Sequence, residues 1–254
     1  MSGHSKWAQI RRSKGVNDAR RGQLFTRLGR EIVVAVREGG SGDPNANFRL
    51  RMAVQHARDA NMPMDNIERT IKRALGGSEG SALTEITYEG YGPGGTAVLV
   101  STLTENRNRT VAEVRNAFSR NGGNMGENGC VDWLFEAKGV IEVGLEGKDP
   151  DELALEAIDL GADDVDVVGP EDKVMTVYSD PSDLEKVRQG LEAKKYNVVK
   201  AESTMLPKTK MEISDEKVAH QVMRLVEKLE DLDDVQNVYT NADFSDEFAA
   251  SYED

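Results

Sequence analysis

Basic side chains crowd the start of this sequence. Lys6, Arg11, Arg12 and Lys14 come first, and Arg20, Arg21, Arg27 and Arg30 follow on a predicted helix. The first thirty residues hold eight Lys/Arg and one Asp. Such side chains neutralise phosphates and release the counterions condensed on a nucleic acid. Arg also forks onto base edges or stacks on unpaired bases. Trp7 sits inside the basic run, where an indole can stack on a base. Arg58, Arg69, Lys72 and Arg73 add charge on two further predicted helices. The competing explanation is a solvated helix face with ordinary pairing, such as Arg27 with Glu31.

A second candidate lies at Asn106-Arg107-Asn108-Arg109-Thr110. Arg107 and Arg109 stand just ahead of a predicted helix, and a helix N-terminus beside Arg is a ready anion or RNA site. A polar strand-to-helix turn explains the same residues. The run Gly90-Tyr91-Gly92-Pro93-Gly94-Gly95 is not followed by a Lys-Ser/Thr pair, and a strand rather than a helix comes next. It therefore reads as a hairpin turn, not a phosphate loop. His4, His56 and His220 lie in three separate segments, and Cys130 is the only cysteine. No metal site is expected from that spacing. No nucleophile elbow appears. No catalytic residue and no cofactor are expected.

The chain of 254 residues has a net charge of −13, which by itself argues against a polyanionic partner. The distribution reverses that inference. Residues 1–76 hold fifteen basic and seven acidic side chains, a net of +8, and the remainder nets −21. Such asymmetry points to one nucleic-acid-binding end. A lone cysteine and a polar start without an apolar core segment suit a reducing, cytoplasmic setting. No apolar run in the basic segment reaches membrane-spanning length. A monomer is expected, with the acidic part available to a protein partner.

Periodicity supplies the elements that must carry these residues. Leu24, Leu28, Ile32 and Val36 recur every four residues within a helix over about 17–38. A second helix is expected from Asp43 as N-cap and Pro44 at the first helical position. It carries Leu50, Ala53, Val54 and Ala57 and ends near Asn61. A third opens on a capping-box-like Asp65/Glu68 pair and carries Ile67, Ile71, Ala74 and Leu75. These three form a basic helical domain over 1–77. A hairpin over 84–91 and 96–104 follows, then a helix from about Thr110, capped by Thr110 with Glu113. Residues 140–205 read β-α-β-β-α-β, the order of a ferredoxin-like domain, with Asp180 capping its second helix. Ser214 is expected to cap a last helix, and a strand over 235–240 follows. That pair has no local sheet, so it is expected to return to the hairpin. The fold class is α+β multidomain, a three-helix domain followed by two ferredoxin-like α/β domains, the last inserted into the middle one. Its boundaries are 84–138 plus 207–242 for the discontinuous middle domain, and 139–206 for the insertion. An acidic tail, 243–254, is expected to fray.

Several of these stretches together carry a family resemblance. Gly3-His4-Ser5-Lys6-Trp7, Arg21-Gly22-Gln23-Leu24-Phe25-Thr26 and Ala60-Asn61-Met62-Pro63 resemble the YebC/PmpR family of transcriptional regulatory proteins. So do Asp65-Asn66-Ile67-Glu68-Arg69, Tyr88 through Gly95, Asn106 through Thr110, and Leu232 through Tyr239. The resemblance spans the whole chain in order. It departs at Ile10-Arg11-Arg12-Ser13, where the family often has a Lys-His-Lys-like run, though positive charge is kept. The resemblance implies a helical domain and two α/β domains around a cleft. It implies a cytoplasmic regulator of gene expression and no catalytic residue set. Two functional pictures come with it. One is a DNA-binding transcriptional regulator. The other is a ribosome- and RNA-associated translation factor, like the mitochondrial translational activator of cytochrome c oxidase. An enzyme working in the cleft is a remote third. Replacing Arg11, Arg12 and Lys14 by Ala is expected to weaken binding to either nucleic acid, with the log–log salt slope reduced by about 3. Titration at several salt concentrations checks this, and an unchanged slope rules the basic start out as a contact.

Overall fold

The computed structural model describes residues 18–76, 83–166, 173–245 and residue 248. They form seven α-helices and ten strands, an α+β fold. The described chain divides into two compact units. One comprises 18–76, 83–131 and 215–240, and the other comprises 132–166, 173–214 and the described residues from 241 onward.

The first unit begins with three helices, α1 (Asp18–Gly39), α2 (Phe48–Asp59) and α3 (Met64–Leu75). Their apolar stripes meet in one cluster that includes Leu28, Ile32, Leu50, Ala53, Ala57 and Ile67. Leu75, expected in this stripe, is instead 55% exposed. The α2 N-terminus also differs from expectation. Asp43 caps only a local turn, accepting from the Asn45 backbone N–H, and the helix starts at Phe48, four residues beyond the expected Pro44. Asn47 is the cap, its Oδ1 accepting from Leu50 N–H at 3.1 Å. Its amide donates to the Ala35 and Ser41 carbonyls, so one buried side chain ties the end of α1 to the start of α2. A side chain at Gly39 would strike that amide, which explains the glycine. α3 carries no side-chain cap, since Pro63 occupies the N-cap position. The Asp65/Glu68 box is therefore absent.

The rest of this unit is a four-stranded sheet, in the spatial order 124–125, 84–91, 97–104, 235–240, with two helices on it. β1 (Thr84–Tyr91) and β2 (Ala97–Thr104) form the hairpin. The turn needs glycine, because Gly94 and Gly95 adopt φ of 73° and 82°. α4 (Arg107–Arg120) and the short β3 (Asn124–Met125) follow. α4 starts before Thr110. Asn106 caps it by accepting from Arg109 N–H, and Thr110 is buried inside the first turns.

The other unit carries β4 (Phe135–Gly144), α5 (Pro150–Leu160), β5 (Asp164–Val165), β6 (Val174–Ser179), α6 (Leu184–Ala193) and β7 (Asn197–Pro207). Its sheet order, β5-β6-β4-β7, is antiparallel throughout and is that of a ferredoxin-like fold. Asp180 does not cap α6. It closes a turn onto Ser182, and the helix starts at Leu184. Phe135 pairs with Pro207 at the open end of β4 and β7. Residues 135–138 and 207 thus belong with this unit, not with the middle domain as the expected boundaries had them. β8 (Met211–Ile213) extends the same unit.

The chain then re-enters the first unit as α7 (Glu216–Glu230), capped by Asp215 rather than Ser214. β9 (Val235–Thr240) adds antiparallel to β2, from Val98 opposite Thr240 to Thr102 opposite Val235. β10 (Ala242–Phe244) pairs parallel with β8. The tail therefore begins in a strand, and Phe244 and Phe248 are buried with ring centroids 5.5 Å apart. Residues 246–247 and 249–254 lie outside the described residues.

Asn47→Ala removes a cap and the side-chain hydrogen bonds to the Ala35 and Ser41 carbonyls. A loss of about 2–3 kcal/mol is expected, larger than for an ordinary cap. Chemical denaturation followed by circular dichroism checks this; a cost below about 0.5 kcal/mol would show that α1 and α2 need no such tie.

Candidate nucleic-acid interface

The described basic residues sort into two classes by what their charge already touches. Arg27 and Arg30 lie one turn apart on α1. Arg27 donates to the Glu230 carbonyl at 3.5 Å. Arg30 donates to the Asp233 carbonyl at 2.6 Å and pairs with Asp234 Oδ1 at 3.0 Å. Glu31, the expected partner of Arg27, is in contact with His56 Nδ1 at 3.2 Å.

Asp234 is the centre of this arrangement. It is 1% exposed. Its second oxygen accepts from Arg109 at 2.7 Å, Thr110 at 2.8 Å and Thr104 at 3.0 Å. The Thr110 hydroxyl also lies 2.7 Å from that of Thr104. Burial pushes the Asp234 pKa up. The hydrogen bonds from Arg109, Thr110 and Thr104, with the Arg109 charge, outweigh it and hold the carboxyl below its ordinary value. The same hydrogen bond raises the Arg109 pKa. So Arg109, read from sequence as an anion contact, has its anion supplied from within the chain. Arg107 is exposed and makes no such pair among the described residues.

The second class is on α3. Arg69, Lys72 and Arg73 are exposed, occupy one helix face at i, i+3 and i+4, and make no ion pair among the described residues. Lys72 and Arg73 lie in the last turn of α3 and Arg69 at its middle, while its acids, Asp65 and Glu68, fall in the first half. α2 leads into α3 through a four-residue turn, with Asn61 at φ 57°. Arg58, at the end of α2, donates to Met64 Sδ at 3.8 Å. Lys6, Trp7, Arg11, Arg12 and Lys14 lie outside the described residues. Arg20 and Arg21 are on the first turn of α1, and their side chains also fall outside the description. Residues 5–77 match the family model described as the TACO1/YebC protein N-terminal domain, and 83–242 match the TACO1/YebC second and third domain. The chain belongs to the TACO1/YebC family.

Relatives agree along the full length. A "Probable transcriptional regulatory protein" of Chloroflexus aurantiacus is 56% identical over 255 residues, all of both chains. One of Dehalococcoides mccartyi is 53% identical over 252 residues, covering 99% of this chain and 98% of that one. A crystal structure of a conserved hypothetical protein from Aquifex aeolicus superposes with a TM-score of 0.79 at 46% identity, covering 90% of this chain and 93% of that one. The family is thus one of proteins named as transcriptional regulators. Among the described residues, no helix is long and apolar enough to cross a membrane.

The Asp234 hub was not legible in sequence. Its partners lie 204, 125, 124 and 130 positions away, and no local pattern joins them. Because its folded pKa is depressed, its stabilisation is complete above the unfolded carboxylate pKa, about 3.9, and is lost as pH falls through the lower folded value. Asp234→Asn is expected to cost about 2 kcal/mol at pH 7. The gap between variant and parent is expected to narrow as pH falls below the unfolded carboxylate pKa, about 3.9. Denaturation midpoints across pH check both statements; a gap that stays constant to pH 3 would remove the carboxylate's charge from the account.

Proposed function

We propose that this chain is a non-catalytic, cytoplasmic regulator of gene expression that binds nucleic acid, in the first place duplex DNA as a transcriptional regulator. One observation carries the reading. Arg69, Lys72 and Arg73 present three cations from one helix face, with no ion pair among the described residues, on a segment whose net charge is +8 in an otherwise acidic chain. Three charges of this kind suit phosphate contact, which sets affinity and orientation without reading sequence. The basic start of the chain would add to it. The acidic remainder repels a polyanion and so disfavours contact over most of its surface. The names of the relatives support the regulatory role.

The non-catalytic part of the proposal has its own support. Burial, with Glu89 nearby, pushes the Cys130 thiol pKa up, away from a nucleophilic thiolate. The perturbed groups described here are explained by burial, as at Cys130 and Tyr178, or by structural pairing, as at Asp234. A second reading, a ribosome-associated translation factor, is favoured by Trp7 in the basic start, since an indole stacks on unpaired bases.

Replacing Arg69, Lys72 and Arg73 together by Ala is expected to weaken binding to all duplexes alike and to reduce the log–log salt slope by about 3. The helix should persist, because all three side chains are exposed. Fluorescence anisotropy at several salt concentrations reads the effect. Unchanged affinity and slope would withdraw α3 as a contact. Sedimentation of cell lysate at moderate salt separates the two readings: co-migration with ribosomes, without preference among purified duplexes, would replace the first by the second.

A further inference from the structure

α4 has two unlike faces. Thr110, Val114, Ala117 and Phe118 are buried against the sheet and α7. On the opposite side Asn108, Ala112, Arg115, Asn116, Ser119 and Arg120 are exposed. Positions 108, 112, 115 and 119 follow a 4-3-4 spacing, so they form one stripe, with 116 beside it. No carboxylate lies on that stripe; Glu113 sits on the flank and is partly buried. Arg115 and Arg120 make no hydrogen bond or ion pair among the described residues. The helix holds four Arg and one Glu. It does so in the part of the chain beyond residue 76, which nets −21. Its first turn is held by the Asn106 cap and by Arg109 and Thr110 on Asp234.

We propose that this face of α4 reads base edges in the major groove of duplex DNA. The proposal rests on the nucleic-acid role given above and adds the sequence discrimination that α3 does not supply. Arg and Asn are the side chains that make paired hydrogen bonds to guanine and adenine in that groove. Ala112 and Ser119 are short, so the helix axis can come close to the bases, and the Ala112 methyl can meet a thymine methyl. A helix of 14 residues is about 21 Å long, and the major groove of B-form DNA admits a helix. The deep, narrow major groove of A-form RNA does not. The face has no aromatic side chain on which an unpaired base could stack, which disfavours a single strand. α3 differs in kind. From its middle onward it offers Arg69, Lys72 and Arg73 as charges, and Asp65 and Glu68 precede them on the same helix.

The test uses the full chain and two randomised pools, one of duplex DNA and one of single-stranded RNA, with anisotropy on the enriched molecules. The parent is expected to enrich a duplex motif. R115A/N116A is expected to lose discrimination between that motif and a scrambled duplex by about 5- to 150-fold for each paired contact removed. R115K keeps the charge and loses the fork. It is expected to relax preference at one base position with the salt slope unchanged. The α3 triple variant is expected to enrich the parent's motif at lower affinity. A parent that binds duplexes in a salt-dependent manner but enriches no motif overturns the α4 proposal and leaves the broader role standing. So does R115A/N116A enriching the parent's motif with undiminished discrimination. A motif from the RNA pool alone also overturns it, in favour of an RNA-reading surface. A parent that binds neither pool at low salt overturns both.

Discussion

A single buried carboxylate organises the first unit. Asp234 lies in the turn between α7 and β9, and five hydrogen bonds converge on it and on the carbonyl beside it. They come from α1, from the end of β2 and from the start of α4. A carboxylate at this depth is expensive unless its charge and lone pairs are met. Here two guanidiniums and two hydroxyls meet them, and the guanidiniums remain partly solvated at their far ends. Arg30 attaches α1 to the α/β part, and Arg109 and Thr110 set the start of α4. Arg49 with Glu85 makes a second, more exposed link between α2 and β1. The pairing of Asp234 explains why chain segments more than 200 residues apart in sequence act as one compact body.

This constraint also divides the arginines. Arg30 and Arg109 have their charge answered by Asp234 inside the molecule, and Arg27 reaches the Glu230 carbonyl. Arg69, Lys72, Arg73, Arg115 and Arg120 point outward without an acidic partner among the described residues. Residue type is the same in both groups. What differs is whether an acid folded from elsewhere reaches the guanidinium. A surface Arg with an internal partner loses much of its attraction for a phosphate, whereas one without a partner keeps it. The candidate interface is therefore narrower than the count of basic residues suggests, and α4 enters it only through its outward face.

Helices with strong periodicity were legible before any coordinates. Leu28, Ile32, Val36, Leu50, Ala53 and Ala57 reach the core where four- and three-residue spacing puts them. The ferredoxin-like order was legible for the same reason, because alternating runs of β-branched and periodic segments leave few other topologies. Helix starts were less legible. Asp43, Thr110, Asp180 and Ser214 are each good caps locally, yet Asn47, Asn106 and Asp215 make the capping bonds, and α6 starts beyond Asp180 at Leu184. Several Asx, Ser or Thr residues near one boundary compete, and packing between distant segments selects among them. At Asn47 the neighbouring segment is the end of α1, which the cap also binds. The β8–β10 pair was not legible at all. Two three-residue strands, 211–213 and 242–244, meet only because α7 and β9 lead the chain away and back.

By itself the sequence determined the family, the α+β class, the helical stripes and the polarity of charge between the two ends. Those properties are local or additive: spacing, composition and motif order survive without coordinates. Only the tertiary structure decided which carboxylate answers which arginine, which polar residues cap which helix, and where the compact units divide. Each of these is a choice among chemically equivalent candidates. The choice is made by contacts between segments far apart in the chain, where burial raises the cost of an unmet charge or hydrogen bond.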